Sequence, residues 1–203
     1  MVSIFKKLVR GNREKDFVTI VSGLPRSGTS MMMRMLEAGG MDIVTDNIRK
    51  ADDDNPRGYF EYERVKKLKE DPSCLDVCHG KAVKIISMLL LDLPPERNYK
   101  VIFMLREMQE TLSSQRVMLQ RLGKKDDDIS DEKMAEKFEK HLRQVEAWID
   151  KQMHVDVLYL KYNEVIDESL RYARRVNEFL GKNLNVDKMV AVVEKALYRQ
   201  RRK

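Results

Sequence analysis

The sequence predicts an α/β fold, a five-stranded parallel sheet flanked by helices. Three observations predict it. Short β-branched or aliphatic runs alternate with longer helical patterns, and neither repeats nor a long low-complexity linker interrupt them. At 203 residues the chain is long enough to bury roughly 70% of its unfolded surface, which favours one domain over residues 1–203. With 42% hydrophobic and 35% charged residues, the composition excludes a disordered chain.

Each element follows from its local pattern. Residues 17–21 are β-branched and apolar and run into Ser22-Gly23, as a buried first strand would. Residues 29–38 turn helical and Gly39-Gly40 ends them. A second short strand is expected over 41–45, and the polar stretch 52–58, with Asn55-Pro56 and Gly58, is a loop. Residues 59–70 read as a charged, half-exposed helix stopped by Asp71-Pro72. Strands are expected at 82–86 and 100–105, then a helix over 108–122 closed by Gly123 and a charged loop at 124–128. A long amphipathic helix from about 131 to 153, a last strand at 155–160 and helices near 168–180 and 186–197 complete the chain. Ligands of such sheets bind beyond the carboxyl ends of the strands, so functional residues should follow strands.

Charge and hydropathy narrow the classes less sharply. Lysine and arginine number 39 against 33 acidic residues, giving +6 and a pI near 9.2. That excess suits an anionic small molecule, a phosphorylated partner, weak nucleic-acid attraction or a merely solvated surface, and selects none of them. The longest apolar run, 85–91, is broken by Ser87 and is far short of a bilayer span. Only Val2-Ser3-Ile4-Phe5 precedes Lys6-Lys7, too short for a signal peptide. Two cysteines cannot build a disulfide framework and thirteen methionines would oxidise outside a cell, so a cytoplasmic protein is expected.

The motif that carries chemistry is Gly23-Leu24-Pro25-Arg26-Ser27-Gly28-Thr29-Ser30, between the first strand and the first helix. Its two glycines let successive backbone N–H groups turn inward, and the helix N-terminus adds positive charge. The result is an anion cradle. A nucleotide-hydrolysing loop would place lysine where Thr29 stands, and would be joined by an aspartate at a strand end to hold magnesium. Here the strands run into Arg106 and Lys161, and the only cation within the loop is Arg26. A kinase or NTPase is therefore the weaker reading.

Pro25-Arg26-Ser27-Gly28-Thr29-Ser30 resembles the 5′-phosphosulfate loop of the sulfotransferases that use 3′-phosphoadenosine 5′-phosphosulfate (PAPS). Arg106 at a strand end, with Ser114 eight positions on, resembles the family's 3′-phosphate pattern. Residues 82–86 with 89–95 resemble the region between these motifs, so similarity spans roughly 17–119, as in short bacterial-type members. The resemblance implies a three-layer P-loop fold with strand order 2-3-1-4-5. It also implies PAPS as co-substrate without a metal, and a small-molecule or glycan acceptor rather than nucleic acid. Arg26, Ser27, Gly28, Thr29 and Ser30 would hold the 5′ end, and Arg106 and Ser114 the 3′-phosphate.

Sulfuryl transfer needs a base for the acceptor proton and stabilisation of the leaving phosphate oxygen. Arg26 and the N–H groups of Gly28, Thr29 and Ser30 suit the second task, and Lys84 could reach the sulfuryl oxygens. Cytosolic small-molecule sulfotransferases place a catalytic histidine two residues after this lysine, where this chain has Ile86. His79 lies on the wrong side of the strand and reads as a loop residue. Other branches use a glutamate from a segment that Asn55-Pro56-Arg57-Gly58-Tyr59-Phe60-Glu61-Tyr62-Glu63 resembles, so Glu61 is the expected base and Glu63 the reserve. Ile86 also leaves open a nucleotide-binding protein that has lost catalysis.

Lesser signals carry less. Cys74, Cys78 and His79 lack a second ligand pair for zinc, and Asp52-Asp53-Asp54 lacks calcium-loop spacing. Met31, Met32, Met33 and Met35 read as core, with some facing an adaptable acceptor pocket. Arg199 is a third candidate for the 3′-phosphate.

Overall fold

The computed structural model describes residues 17–52, 55–121, 123 and 130–198. Five strands form one sheet: β1 (Val18–Gly23), β2 (Ile43–Val44), β3 (Ala82–Lys84), β4 (Tyr99–Leu105) and β5 (Val155–Lys161). All pairs are parallel and the order is β2-β3-β1-β4-β5, as expected. Register aligns Val21 with Lys84, Gly23 with Met104 and Leu105 with Lys161. The chain therefore leaves β1, β3, β4 and β5 along one edge.

Helices cover both faces. α1 (Thr29–Ala38), α4 (Tyr162–Asp167), α5 (Ser169–Leu180) and α6 (Val186–Ala191) pack with Val21, Ile102, Met104 and Leu160 into one core. α3 (Asp131–Ile149) and 3-10 helices at Pro72–Cys78 and Ser87–Asp92 join Ile20, Val83, Val101 and Phe103 in a second core. α2 (Met108–Arg121) lies beside α3. Alternate residues of β4 thus feed opposite cores, which is why residues 101–105 are continuously apolar. Met32, Met33 and Met35 are fully buried, each worth ~1.5–3 kcal/mol of transfer from water. A Cβ at Gly39 would come within 2.8 Å of Met189, so the glycine permits α1 to pack closely on α6.

Some expectations are corrected. Residues 59–62 are not helical; only a 3-10 turn, Glu63–Lys67, forms there. The Asp46 and Thr45 groups explain it. Asp46 N–H and the Thr45 hydroxyl both donate to the Glu61 carbonyl, and the Asp46 carboxylate accepts from Glu63 N–H. Those bonds occupy groups that a helix would need for itself. The third strand ends at Lys84, not 86, and the last helix breaks after Ala191, with a 3-10 turn at Lys195–Leu197. α3 stops at Ile149 rather than 153. The expectations for residues 1–10, Asp53, Asp54 and Arg199 lie outside the described residues. Among the described residues, no helix is long and apolar enough to cross a membrane.

Candidate functional site

The turn after β1 is shaped by two left-handed residues. Gly28 has φ 97°, and a Cβ there would run into the Tyr162 ring. Arg26 adopts φ 70° without being glycine, a conformation that costs free energy and clusters at functional sites. Gly28 is also the N-cap of α1 and offers no side-chain cap to the helix. The first-turn N–H groups of α1 are accordingly not satisfied by a capping side chain. The Ser27 hydroxyl is buried and has no hydrogen-bond partner among the described residues. Both features fit an anion seated in the loop.

The loop opens into a cavity of about 420 Å³ at the edge where the strands end. Its lining joins Arg26, Gly28, Thr29 and Ser30 to Glu61 and Lys84 on the β3 side, and to Arg106 and Ser114 on the β4 side. Every expected site residue but Ser27 therefore lines one space. Among the described lining residues seven are lysine or arginine and two are glutamate, so the cavity favours an anion.

On the β4 side the two phosphate-clamp candidates already touch the loop. Arg26 Nε donates to Ser114 Oγ at 3.0 Å, and Arg106 Nη1 donates to the Arg26 carbonyl at 3.1 Å. Arg106 Nε also donates to the buried Glu110 carboxylate at 3.1 Å.

On the β3 side Lys84 is almost wholly buried and donates to the Tyr59 carbonyl. Its Nζ lies 3.7 Å from Glu61 Oε1. Burial pushes the ammonium from 10.5 down to about 8, with the Glu61 charge opposing that shift. Lys84 is therefore not a solvated lysine at the end of a strand. Glu61 projects from an irregular segment rather than a helix and pairs with Arg49 at 3.0 Å. Arg49 in turn lies 3.4 Å over the Tyr59 ring. Burial and an Asp52 hydrogen bond push the Tyr59 phenol up to about 12. Glu63 does not line the cavity and pairs instead with the exposed Lys66, at 2.6 Å.

The lesser signals resolve plainly. Met31 lines the cavity, whereas Met32, Met33 and Met35 are core. Cys74 and Cys78 are buried free thiols, and burial raises Cys78 to about 12. His79 sits beside Arg97 at 3.2 Å. Ile86 lines the cavity where no proton can be accepted.

Sequence reasoning missed Arg49, Tyr162, Glu110, Glu194 and Tyr198. Tyr162 was accessible to it, since it directly follows β5 at the edge where the cavity lies. Glu194 and Tyr198 lie in an irregular stretch that carries no local signal.

Comparison with known proteins gives three findings. No curated protein matches the chain. A solved, unliganded sugar kinase from Janibacter sp. HTCC2649 is similar at 12% identity and a TM-score of 0.38, with 87% of this chain and 97% of that chain covered. Such a likeness carries no argument about function. A family model described as the sulfotransferase domain matches residues 16–203. With nearly its whole length matched, the chain belongs to the sulfotransferase domain family.

Proposed function

We propose that the protein transfers a sulfuryl group from PAPS to a hydroxyl or amine of a small-molecule or glycan acceptor. The observation that carries this reading is convergence. The anion cradle after β1, Arg106 and Ser114 beyond β4, and Glu61 and Lys84 beside β3 all line one cationic cavity. Thr29 stands where a nucleotide-hydrolysing loop has lysine, and β4 leads to Arg106 rather than to a magnesium carboxylate. Two buried free thiols accord with a reducing, cytoplasmic setting.

Each residue then has a task. Arg26 and the N–H groups of Gly28, Thr29 and Ser30 hold the 5′-phosphosulfate, with Ser27 beneath them. Arg106 and Ser114 hold the 3′-phosphate. Bound PAPS supplies the sulfur–oxygen bond that breaks. Glu61 accepts the acceptor's proton as the acceptor oxygen or nitrogen bonds to sulfur, and the electron pair leaves on the phosphate oxygen of 3′-phosphoadenosine 5′-phosphate. Arg26 and the loop N–H groups stabilise that charge, while Lys84 faces the sulfuryl oxygens.

One observation favours a second reading, a nucleotide binder without turnover. Glu61 is held by two cations, Arg49 at 3.0 Å and Lys84 at 3.7 Å, which occupy the carboxylate that would have to receive the acceptor's proton. Transfer from radiolabelled PAPS to a panel of hydroxyl and amine acceptors separates the two. Labelled product supports transfer; tight nucleotide binding with no product across the panel supports the binder.

A further inference from the structure

The stretch after α6 is pinned at both of its own ends. Near its start, Glu194 accepts from Arg57 Nε at 2.9 Å and Nη2 at 3.2 Å, and from Arg34 Nη1 at 3.0 Å. Glu194 and Leu197 both line the cavity. At the far end, the Tyr198 hydroxyl donates to both oxygens of Glu110, at 2.7 and 2.8 Å. Its ring meets Tyr162 edge-on with centroids 5.2 Å apart.

Glu110 links this tyrosine to Arg106. Its carboxylate is 6% exposed and accepts from Arg106 Nε. The Arg106 guanidinium lies over the rings of Tyr162, at 4.9 Å, and Tyr198, at 5.4 Å. Two ring faces fix the plane of the guanidinium, and the Nε bond fixes its rotation within that plane. The Glu110 carboxylate must itself be held for that rotation to be set. The tyrosine hydroxyl holds both of its oxygens in place. Burial, then the bond to Glu110, pushes the phenol up to about 12, so it keeps its proton near neutral pH.

We propose that Tyr198 is a positioning residue for 3′-phosphate recognition, acting through the Glu110 carboxylate to aim the Arg106 guanidinium. This rests on the donor reading above and assigns the C-terminal stretch a part in it. Selectivity for a 3′-phosphorylated nucleotide then depends on a hydroxyl that does not itself touch the nucleotide.

Calorimetric titration with 3′-phosphoadenosine 5′-phosphate and with adenosine 5′-phosphosulfate tests it, using wild type, Tyr198→Phe, Arg106→Ala and the double variant. Tyr198→Phe keeps the ring contacts and should weaken the bisphosphate about tenfold, with less than about a twofold change for the 5′-phosphosulfate. In the Arg106→Ala background the phenylalanine should add nothing. Glu110→Gln keeps the shape of the carboxylate and should lower the same ratio. Equal weakening of both nucleotides by Tyr198→Phe, or an undiminished loss without Arg106, would overturn the proposal. A wild type that does not prefer the 3′-phosphorylated nucleotide would overturn the donor reading itself, and this inference with it.

Discussion

Burial moves the Lys84 ammonium from 10.5 down to about 8, and Glu61 opposes that movement. A base whose folded value lies below its unfolded value carries its charge at a cost in the folded state. That cost is full below about pH 8 and fades as the pH rises toward 10.5. The catalytic consequence has the opposite sense, since only the charged form attracts sulfuryl oxygens. The kcat/KM for transfer should therefore fall as pH rises through about 8, and a profile level up to the ordinary lysine range would remove Lys84 from the chemistry. Glu61→Gln should cut single-turnover transfer ~10²–10⁴-fold with donor affinity nearly unchanged. It should also shift the alkaline limb to lower pH, because the carboxylate that supports the Lys84 charge is gone. Glu63→Gln should be mild, since Glu63 itself does not line the cavity and its partner Lys66 is exposed. A near-normal Glu61→Gln rate would leave the reaction without a named base.

At the level of elements, the loop between β1 and α1 depends on the missing Cβ atoms of Gly23, where one would lie 2.5 Å from the Met104 carbonyl oxygen, and of Gly28. Gly28 and Gly40 both hold positive φ, 97° and 95°, but only at Gly28 would a Cβ meet the Tyr162 ring; at Gly40 nothing lies within 4 Å. Gly40→Ala should cost ~1–2 kcal/mol of stability from backbone strain alone. Gly28→Ala should cost more than that and lose nucleotide binding by about tenfold or more, checked by thermal melting beside calorimetry. Equal effects of the two changes would mean that the loop does not need its observed shape. The same loop was fully legible in the sequence, because a β-branched strand, two glycines and a helix start lie within fourteen consecutive residues, 17–30. The stretch 59–62 was not, because Thr45 and Asp46 hold it out of a helix from another part of the chain. Phe60 at φ 54° shows how far local preference is overruled there. The short elements Tyr162–Asp167, Pro72–Cys78 and Ser87–Asp92 escaped the reading since six or seven residues show little amphipathic period. Arg106 and Ser114 were found by order along the chain, whereas their bonds to the loop needed the fold.

Across the whole molecule, parallel register brings Gly23, Lys84, Arg106 and Tyr162 to one edge of the sheet, from strands far apart in sequence. The cavity built there is cationic beyond what the overall +6 requires. On the function proposed above, this cavity takes a 3′,5′-bisphosphate without a metal. Calorimetric titration of the protein with 3′-phosphoadenosine 5′-phosphate, in the presence of a chelator, beside ATP with Mg²⁺, measures this. The bisphosphate should bind without a metal, and more tightly than ATP. Tighter, magnesium-dependent binding of ATP would contradict it.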